Sequence, residues 1–547
     1  MDSNLAIEEL SRLDATIHAQ ETETRKLKRQ RNKLVAIARL PPEVLGRIFL
    51  FHRDHMLVTP SSKRTLFWIS VTHVSHVWRN VALSCPQLWS IIHLDRMNPF
   101  LTSLFFERSK KAPLSIKITE KPVGAEKILI RSLLAEPDRL RSLEVRSGKY
   151  EELIQPLSTV AAPLLEKFIY APASGRASHN TLNVFSGGTP RLRHLELCDR
   201  TSPWTSNLFT GLTVIKVKIT SRVAFDSPAF IRAMKSCPTL RHLSIRQAHS
   251  NLSATSHVET VPLPQLEDLD LLVSIQHCMQ LLPCISFPSL KALKLELRSC
   301  DFNHGDYAPT VKRLMTLIAT SWSAGSATIP VVRALQCLQT RNSLRMETWS
   351  EESDTEELIA QPGLEKRPKP TLSLELVSTQ VHPQWVSQPL PLLQSLDCKE
   401  LEYVAINSPL EEFVVEFLSD LQALRSISIW ERGARNFCDY LIRNAVRSFP
   451  KLVDFTLNSI SISTNGGIPL SALVDPLKRR RRLGKGARVL RFINCRISEQ
   501  DVERCKDAAE TVERQDIRPF SRFRGQLSPD LVLDPFQQDW LPTLSDD

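Results

Sequence analysis

The sequence predicts an α/β chain: an N-terminal helical module, then an irregular solenoid with parallel strands along one side and helices or loops along the other. Three observations carry this expectation. A proline or polar lead-in followed by L-x-x-L-x-L returns from Leu140 to Leu295 at steps of 20 to 28 residues. The segments between copies, such as Ala229–Cys237 (AFIRAMKSC), have helical apolar spacing and end at a proline. Two apolar stripes of helical period lie ahead of the first copy, between residues 40 and 94. Of 547 residues, 42% are apolar and 24% charged, which is ordinary for a folded soluble protein. That length suits roughly three or four domain-sized units or one long array.

Residues 1–39 read as a charged helix. Leu10 and Ile17 share one heptad position and Leu13, Leu27 and Leu34 another, but Gln20, Thr24 and Arg31 break the seam. A coiled coil needs three or four clean heptads, so a solvated helix leading into the next module fits better than a short dimerising one. The first 30 residues are charged throughout and lack the apolar run of a secretory leader. The uncharged stretch Leu314–Val332 is too rich in Ser, Thr, Gly and Pro to span a membrane. No membrane partner and a cytoplasmic or nuclear location are expected.

Residues 40–94 form the helical module. In Leu40-Pro41-Pro42-Glu43 a proline opens a helix at no cost, because the first helical N–H has no intrahelical partner. Val44, Leu45, Ile48 and Phe49 then lie on one face, and Ile69, Val71, Val74, Val77, Trp78 and Val81 form a second stripe over Phe67–Leu83. Ser84-Cys85-Pro86 ends it. Such short helices bury little alone and lean on a partner. LPPEVLGRIF followed by VSHVWRNVA and CPQLW resembles the F-box, in its fungal F-box-like variant, over roughly 55 residues. The resemblance implies docking onto a Skp-type adaptor and, through it, a cullin, with Leu40, Pro41, Pro42, Val44, Leu45, Ile48, Phe49, Val74, Val77 and Trp78 as the adaptor-binding set. One element departs from the pattern: His52–Lys63 is a longer polar insertion than the usual link between the first two helices. His73 and His76, an i, i+3 pair inside this module, read as amphipathic filling.

The repeats occupy 95–345. Copies start at Leu140, Leu165, Leu192, Leu212, Leu240, Leu266 and Leu290, and resume after an interruption as Leu393-Leu396-Cys398, Leu424-Ile427-Ile429 and Leu452-Phe455-Leu457, with a degenerate Val489–Cys495. The last two leucines of each phrase are two apart, so both point to one face of a strand. A period in the twenties resembles leucine-rich repeats, where stacked units share a core none could form alone. The asparagine usual three residues after the last leucine is replaced by Arg200 and Arg298, so the ladder of turn hydrogen bonds should be weak and the array irregular. A doubly wound βαβ sheet would need longer apolar strands and glycine-rich turns, and there are only 16 glycines. Leu195, Leu243, Leu269 and Leu293 should stack as one buried column, with His194, Arg241, Glu267 and Ala292 outward.

From 346 to 370 the pattern stops. METWSEESDTEELIAQPGLEKRPKP is acidic, then proline-rich, and reads as a disordered insertion before the array continues over 371–500. Ser350, Ser353 and Thr355 stand among its acidic residues. Lys478, Arg479, Arg480, Arg481 and Arg482 form the densest charge; they read as a nuclear-import candidate, or else as a solvated surface loop. Residues 501–547 read as a loosely docked tail.

No catalytic constellation appears. There is no G-x-G-x-x-G, Walker loop, G-x-S-x-G, H-E-x-x-H or C-x-x-C, and the 11 cysteines are odd in number and scattered. Cys198, Cys300, Cys398 and Cys495 end apolar runs and read as small buried hydrophobes in reduced form. No catalytic residue, cofactor or metal is expected. The +11 charge is spread rather than arranged as a basic stripe with aromatics, so nucleic-acid reading is not expected either. The chain therefore reads as a non-enzymatic substrate receptor of a Skp–cullin–F-box ubiquitin ligase, holding an unidentified protein target on its repeats. Two alternatives stand beside it: a repeat scaffold with no ligase role, kept open by the His52–Lys63 insertion, and a nuclear nucleic-acid-associated protein.

Overall fold

The computed structural model describes residues 2–515, apart from connecting stretches at 59–65, 95–96, 120–123, 147–153, 172–183, 200–202, 220–225, 248–258, 303–304, 323–329, 361–367, 381–387, 408–409, 445–447 and 463–467. The chain divides into two compact units, Met1–Ser174 with Asn183–Leu192, and Arg193–Asp547 with Gly175–Leu182.

In the first unit, helix Asp2–Lys33 and the 3-10 turn Ala36–Arg39 precede helix Pro42–Val58, so the first part of the supposed His52–Lys63 insertion is helical. The remainder of that insertion, from residue 59, lies outside the described residues. The stripe over Phe67–Leu83 is three short pieces, Phe67–Ser70, Val71–Val74 and His76–Leu83. Ser75 breaks the run in extended conformation and caps the last piece, its Oγ accepting from the Trp78 N–H at 3.2 Å. Trp68, Trp89 and Phe105 meet edge to face with centroids 5.1 to 5.8 Å apart. Phe105 belongs to helix Pro99–Ser109, so the module's core extends past the expected boundary at residue 94. Trp89 donates its indole N–H to the Ala82 carbonyl at 2.9 Å, and the buried Arg53 guanidinium donates to the Gln87 carbonyl and to Asp54. Four parallel strands follow: β1 Ile91–His93, β2 Leu114–Ile118, β3 Leu140–Val145 and β4 Lys167–Tyr170. Their register aligns Ile92, Ile116, Leu143 and Phe168, all buried.

The second unit carries β5 His194–Asp199, β6 Val214–Ile219, β7 His242–Gln247, β8 Val261–Pro262, β9 Asp268–Ser274, β10 Ile285–Ser286 and β11 Ala292–Arg298. Except for the small β8–β10 ribbon, each pairs in parallel with the next. Leu195, Ile215, Leu243, Leu269 and Leu293 are direct neighbours in register, each at most 1% exposed. Truncating one of these leucines to Ala removes packing and leaves a cavity, typically costing about 2–5 kcal/mol. Helices such as Ser227–Lys235 return the chain between strands; there the Asp226 carboxylate accepts from the Ala229 N–H at 3.0 Å as an N-cap.

Beyond β11 the order departs from the sequence. β12 Ala334–Gln339, β13 Ser343–Trp349 and β14 Leu372–Val377 form an antiparallel meander, and β14 pairs in parallel with β11. β12 then pairs in parallel with β15 Tyr403–Asn407, followed by β16 Ser426–Trp430, β17 Asp454–Asn458, β18 Ala487–Ile493 and β19 Ala509–Gln515. The spatial order is therefore 11-14-13-12-15, with β13 running against its neighbours. Several expectations are corrected by this. The first part of the expected disordered insertion at 346–370 is ordered: Met346–Trp349 complete β13, Glu352–Ala360 is a helix, and Trp349 and Leu358 are buried anchors, while 361–367 lie outside the described residues. Leu393-Leu396-Cys398 is no strand, because Leu390–Leu393 is helical. The strand phrase is Leu401-Val404-Ile406 instead, and Val332-Leu335-Cys337 is a second copy passed over. The supposed tail from 501 contributes β19, and its remainder after 515 lies outside the described residues.

Two strand ends are closed by buried cysteines. Ser299 and Asn494 take left-handed φ of 55° and 52° after β11 and β18, and the next residue in each case is a buried cysteine. The Cys300 thiol donates to the Leu297 carbonyl at 3.2 Å and the Cys495 thiol to the Leu457 carbonyl at 3.1 Å, the latter linking two neighbouring strands' ends. Burial pushes the Cys300 thiol up to about 12, so it stays protonated.

Candidate interaction surfaces

The helical module buries one face and leaves another bare. Leu45 and Phe49 are 1% exposed, with the Phe49 ring tilted against Trp78 at 5.0 Å, so these two support the surface rather than lie on it. Val44, Ile48, Val74 and Val77 are 41 to 56% exposed, Pro41 and Pro42 are exposed, and Leu40 and Trp78 are half-buried. Phe51, 77% exposed, joins Val44 and Ile48 at i, i+4, i+7 on helix Pro42–Val58. Phe51 was missed, although helical spacing from Val44 was enough to find it. His73 and His76 are exposed rather than filling the core. These exposed apolar side chains make this face the unit's candidate interaction surface.

In the second unit, the sheet face opposite the leucine column divides in two. Along β5, β6, β7, β9 and β11 it is polar and open. There His194, Lys216, His242, Ser244, Arg246, Asp268, Asp270 and Lys294 line a cleft of about 500 Å³, with Lys369 at its rim. Asp268 is engaged by His242 Nδ1 at 2.7 Å and by Lys369, and Asp270 by Arg246 at 3.2 Å and the Ser244 hydroxyl at 3.3 Å. Arg241 is exposed and Glu267 and His194 half-buried, as an outward position requires, but Ala292 is buried, correcting its placement.

Along β12, β13 and β15 the same face is closed. Leu358 of helix Glu352–Ala360 packs with Ala334, Trp349, Tyr403 and Ala405, all of which alternate with the inward column residues Leu335, Thr348 and Val404. Trp349 donates its indole N–H to the Pro368 carbonyl at 3.0 Å, fixing the far end of the segment. Next to this cover, the Arg345 guanidinium loses by burial but gains more from Glu375 at 2.6 Å, so its pKa is raised.

The basic run is not a loop. Residues 478–482 end helix Leu470–Arg482, and Arg480 is fully buried, donating to the carbonyls of Ser448, Phe449 and Leu452 at 2.7 to 3.3 Å. It satisfies backbone acceptors at a neighbouring loop, and burial lowers its pKa. Lys478 pairs with Asp507 and Arg481 donates to its carbonyl, leaving Arg479 and Arg482 as the members of the run without such a contact among the described residues.

Among the described residues, no group of three or more His, Cys, Asp or Glu is placed to hold a metal ion, and no helix is long and apolar enough to cross a membrane. All 11 cysteines are free, with Cys85 the one that is not buried. No protein-family profile matches the chain, and no curated protein is significantly similar to it.

Proposed function

We propose that this chain is the substrate-receptor subunit of a Skp–cullin–F-box ubiquitin ligase. The carrying observation is the bare apolar stripe Val44, Ile48, Phe51, Val74 and Val77 on a module whose own core is already complete behind it. That stripe lies on the segment that resembles the F-box, and an adaptor would cover it. We read the second unit's sequential parallel strands, with their in-register leucine column, as a degenerate leucine-rich-repeat array interrupted by the β12–β14 meander. Its outward face is where a protein target is held. The receptor performs no chemistry; it raises the effective concentration of a target lysine beside the charged conjugating enzyme. Such a role implies residence in the cytoplasm, the nucleus or both.

The test is co-purification of the full chain with a Skp-type adaptor. Capture is expected for the wild-type chain, and Ile48→Asp and Val77→Asp should each abolish it without lowering the melting temperature, because both side chains already stand in water. No capture by the wild-type chain, alongside a known F-box protein that succeeds, overturns the reading in favour of a repeat scaffold. A basic-run reading has less to stand on, since Arg480 is committed to internal carbonyls.

A further inference from the structure

The open part of the second unit's sheet face has an unusual charge balance. In its middle row, Lys216, Ser244, Asp270 and Lys294 are direct lateral neighbours on β6, β7, β9 and β11. Asp270 is neutralised by Arg246 and held by Ser244. Glu196, 3% exposed, is the lateral neighbour of Lys216 on β5, and Asp270 that of Lys294, yet neither lysine forms an ion pair with a carboxylate among the described residues, although opposite-charge pairs link other outward positions of the same face. Cross-strand pairing is the ordinary fate of charges on such a face. Two unpaired ammonium groups therefore bracket a cleft of about 500 Å³ with an acceptor-bearing floor.

We propose that this cleft binds an extended peptide segment with acidic side chains four residues apart and a hydrogen-bond donor midway between them. The spacing follows from the sheet. Three strand intervals separate Lys216 from Lys294, about 14 Å at ~4.8 Å each, and an extended peptide covers that in about four residues at ~3.3 Å each. Residues i and i+4 of an extended chain project to the same side, so both carboxylates face the lysines. The residue at i+2 projects the same way and meets Ser244 and Asp270. A lysine, serine or asparagine there finds an acceptor, whereas a third carboxylate meets donors, the Arg246 guanidinium and the Ser244 hydroxyl, that Asp270 already holds. Glu-x-Lys-x-Glu fits the row and Glu-x-Glu-x-Glu does not. The proposal rests on reading this face as the target-binding one, and it is independent of adaptor capture by the helical module.

The experiment uses fluorescein-labelled Gly-Glu-Ala-Lys-Ala-Glu-Gly titrated with the full chain and followed by anisotropy. Its companion, with Glu in place of the central Lys, should bind at least tenfold more weakly. Lys216→Gln with Lys294→Gln should weaken the first peptide at least tenfold while leaving the melting temperature and adaptor capture unchanged. Asp270→Asn should bring the all-Glu peptide to within about threefold of the first. Three results overturn the proposal: equal binding of both peptides, loss that follows Arg479→Gln with Arg482→Gln instead, or single-stranded oligo(U) binding more tightly through Lys216 and Lys294 than the peptide does. Adaptor capture in the same preparation tells failure of this site from failure of the receptor reading.

Discussion

The helical module and the leucine column solve opposite problems with the same kind of residue. In the module, apolar positions one residue apart part company: Leu45 and Phe49 are enclosed while Val44, Ile48 and Phe51 stand in water. In the sheet, the middle position of β5, β6, β7, β9 and β11 is enclosed, while the alternate positions include Lys216, Asp268, Asp270 and Lys294. A unit of a few short helices has too little interior to enclose two faces, so its surplus apolar face waits for a partner. A stack of strands has neighbours of its own on both sides. Exposed apolar side chains thus mark the candidate partner face in the first unit, and exposed polar ones in the second.

This contrast can be broken by substitution. The largest effects belong to enclosed positions. Leu45→Asp should unfold the module, since an unpaired buried carboxylate costs several kcal/mol, and adaptor capture should vanish with the cooperative melt. Ile48→Asp should lose capture with the melt intact; if the two variants behave alike, the module has no separate partner face. In the sheet, Leu243→Ala and Leu269→Ala should each cost about 2–5 kcal/mol in denaturant unfolding. Arg241→Ala and Lys294→Ala should cost under about 0.5 kcal/mol. Overlap between these two pairs would mean the register is wrong.

Next comes a pH effect of about 3 kcal/mol at most. His277, at the start of helix Ile275–Leu281, is 1% exposed, and burial pushes its pKa down to about 4. The unfolded chain takes up a proton near pH 6.5 that the folded chain refuses until about 4, so stability should be full above 6.5 and fall as pH drops through that window. His277→Leu should flatten the fall between pH 6.5 and 4, and an unchanged profile would place the acid sensitivity elsewhere.

Arg480→Ala removes the side-chain donors to the Ser448, Phe449 and Leu452 carbonyls and should cost about 1–3 kcal/mol, whereas Arg482→Ala should be close to neutral. Equal effects would return the basic run to the surface. The smallest change is one of reactivity: a thiol reagent at neutral pH should label Cys85 quickly and the ten buried cysteines slowly, as their exclusion from water requires.

Much of this was legible in the chain. The phrase L-x-x-L-x-L located β3 to β7, β9, β11 and β16 to β18, because a period of two within a strand and a return in the twenties leave little else that repeats at that spacing. Other parts were not. Leu393-Leu396-Cys398 carries the phrase and is not a strand, while Leu401-Val404-Ile406, a few residues on, is; the two patterns differ by nothing local. Residues 346–360 read as too acidic to fold, yet Trp349 and Leu358 hold them, since two well-placed anchors against a sheet outweigh a polar average.

By itself the sequence determined which residues are apolar, at what period, and hence the short strands, the helix start at Pro42 and the leucine column. These are local consequences of side-chain alternation and capping. Only the tertiary structure decided that β14 sits beside β11, that helix Glu352–Ala360 closes part of the outward face, and that Arg480 is a buried donor rather than a free charge. Each of those depends on contacts between residues distant in the chain, whose energies no local pattern encodes. Lys216 and Lys294 show the same division: their charge is written in the sequence, but their common row, in which neither forms an ion pair among the described residues, arises only when four strands come into register.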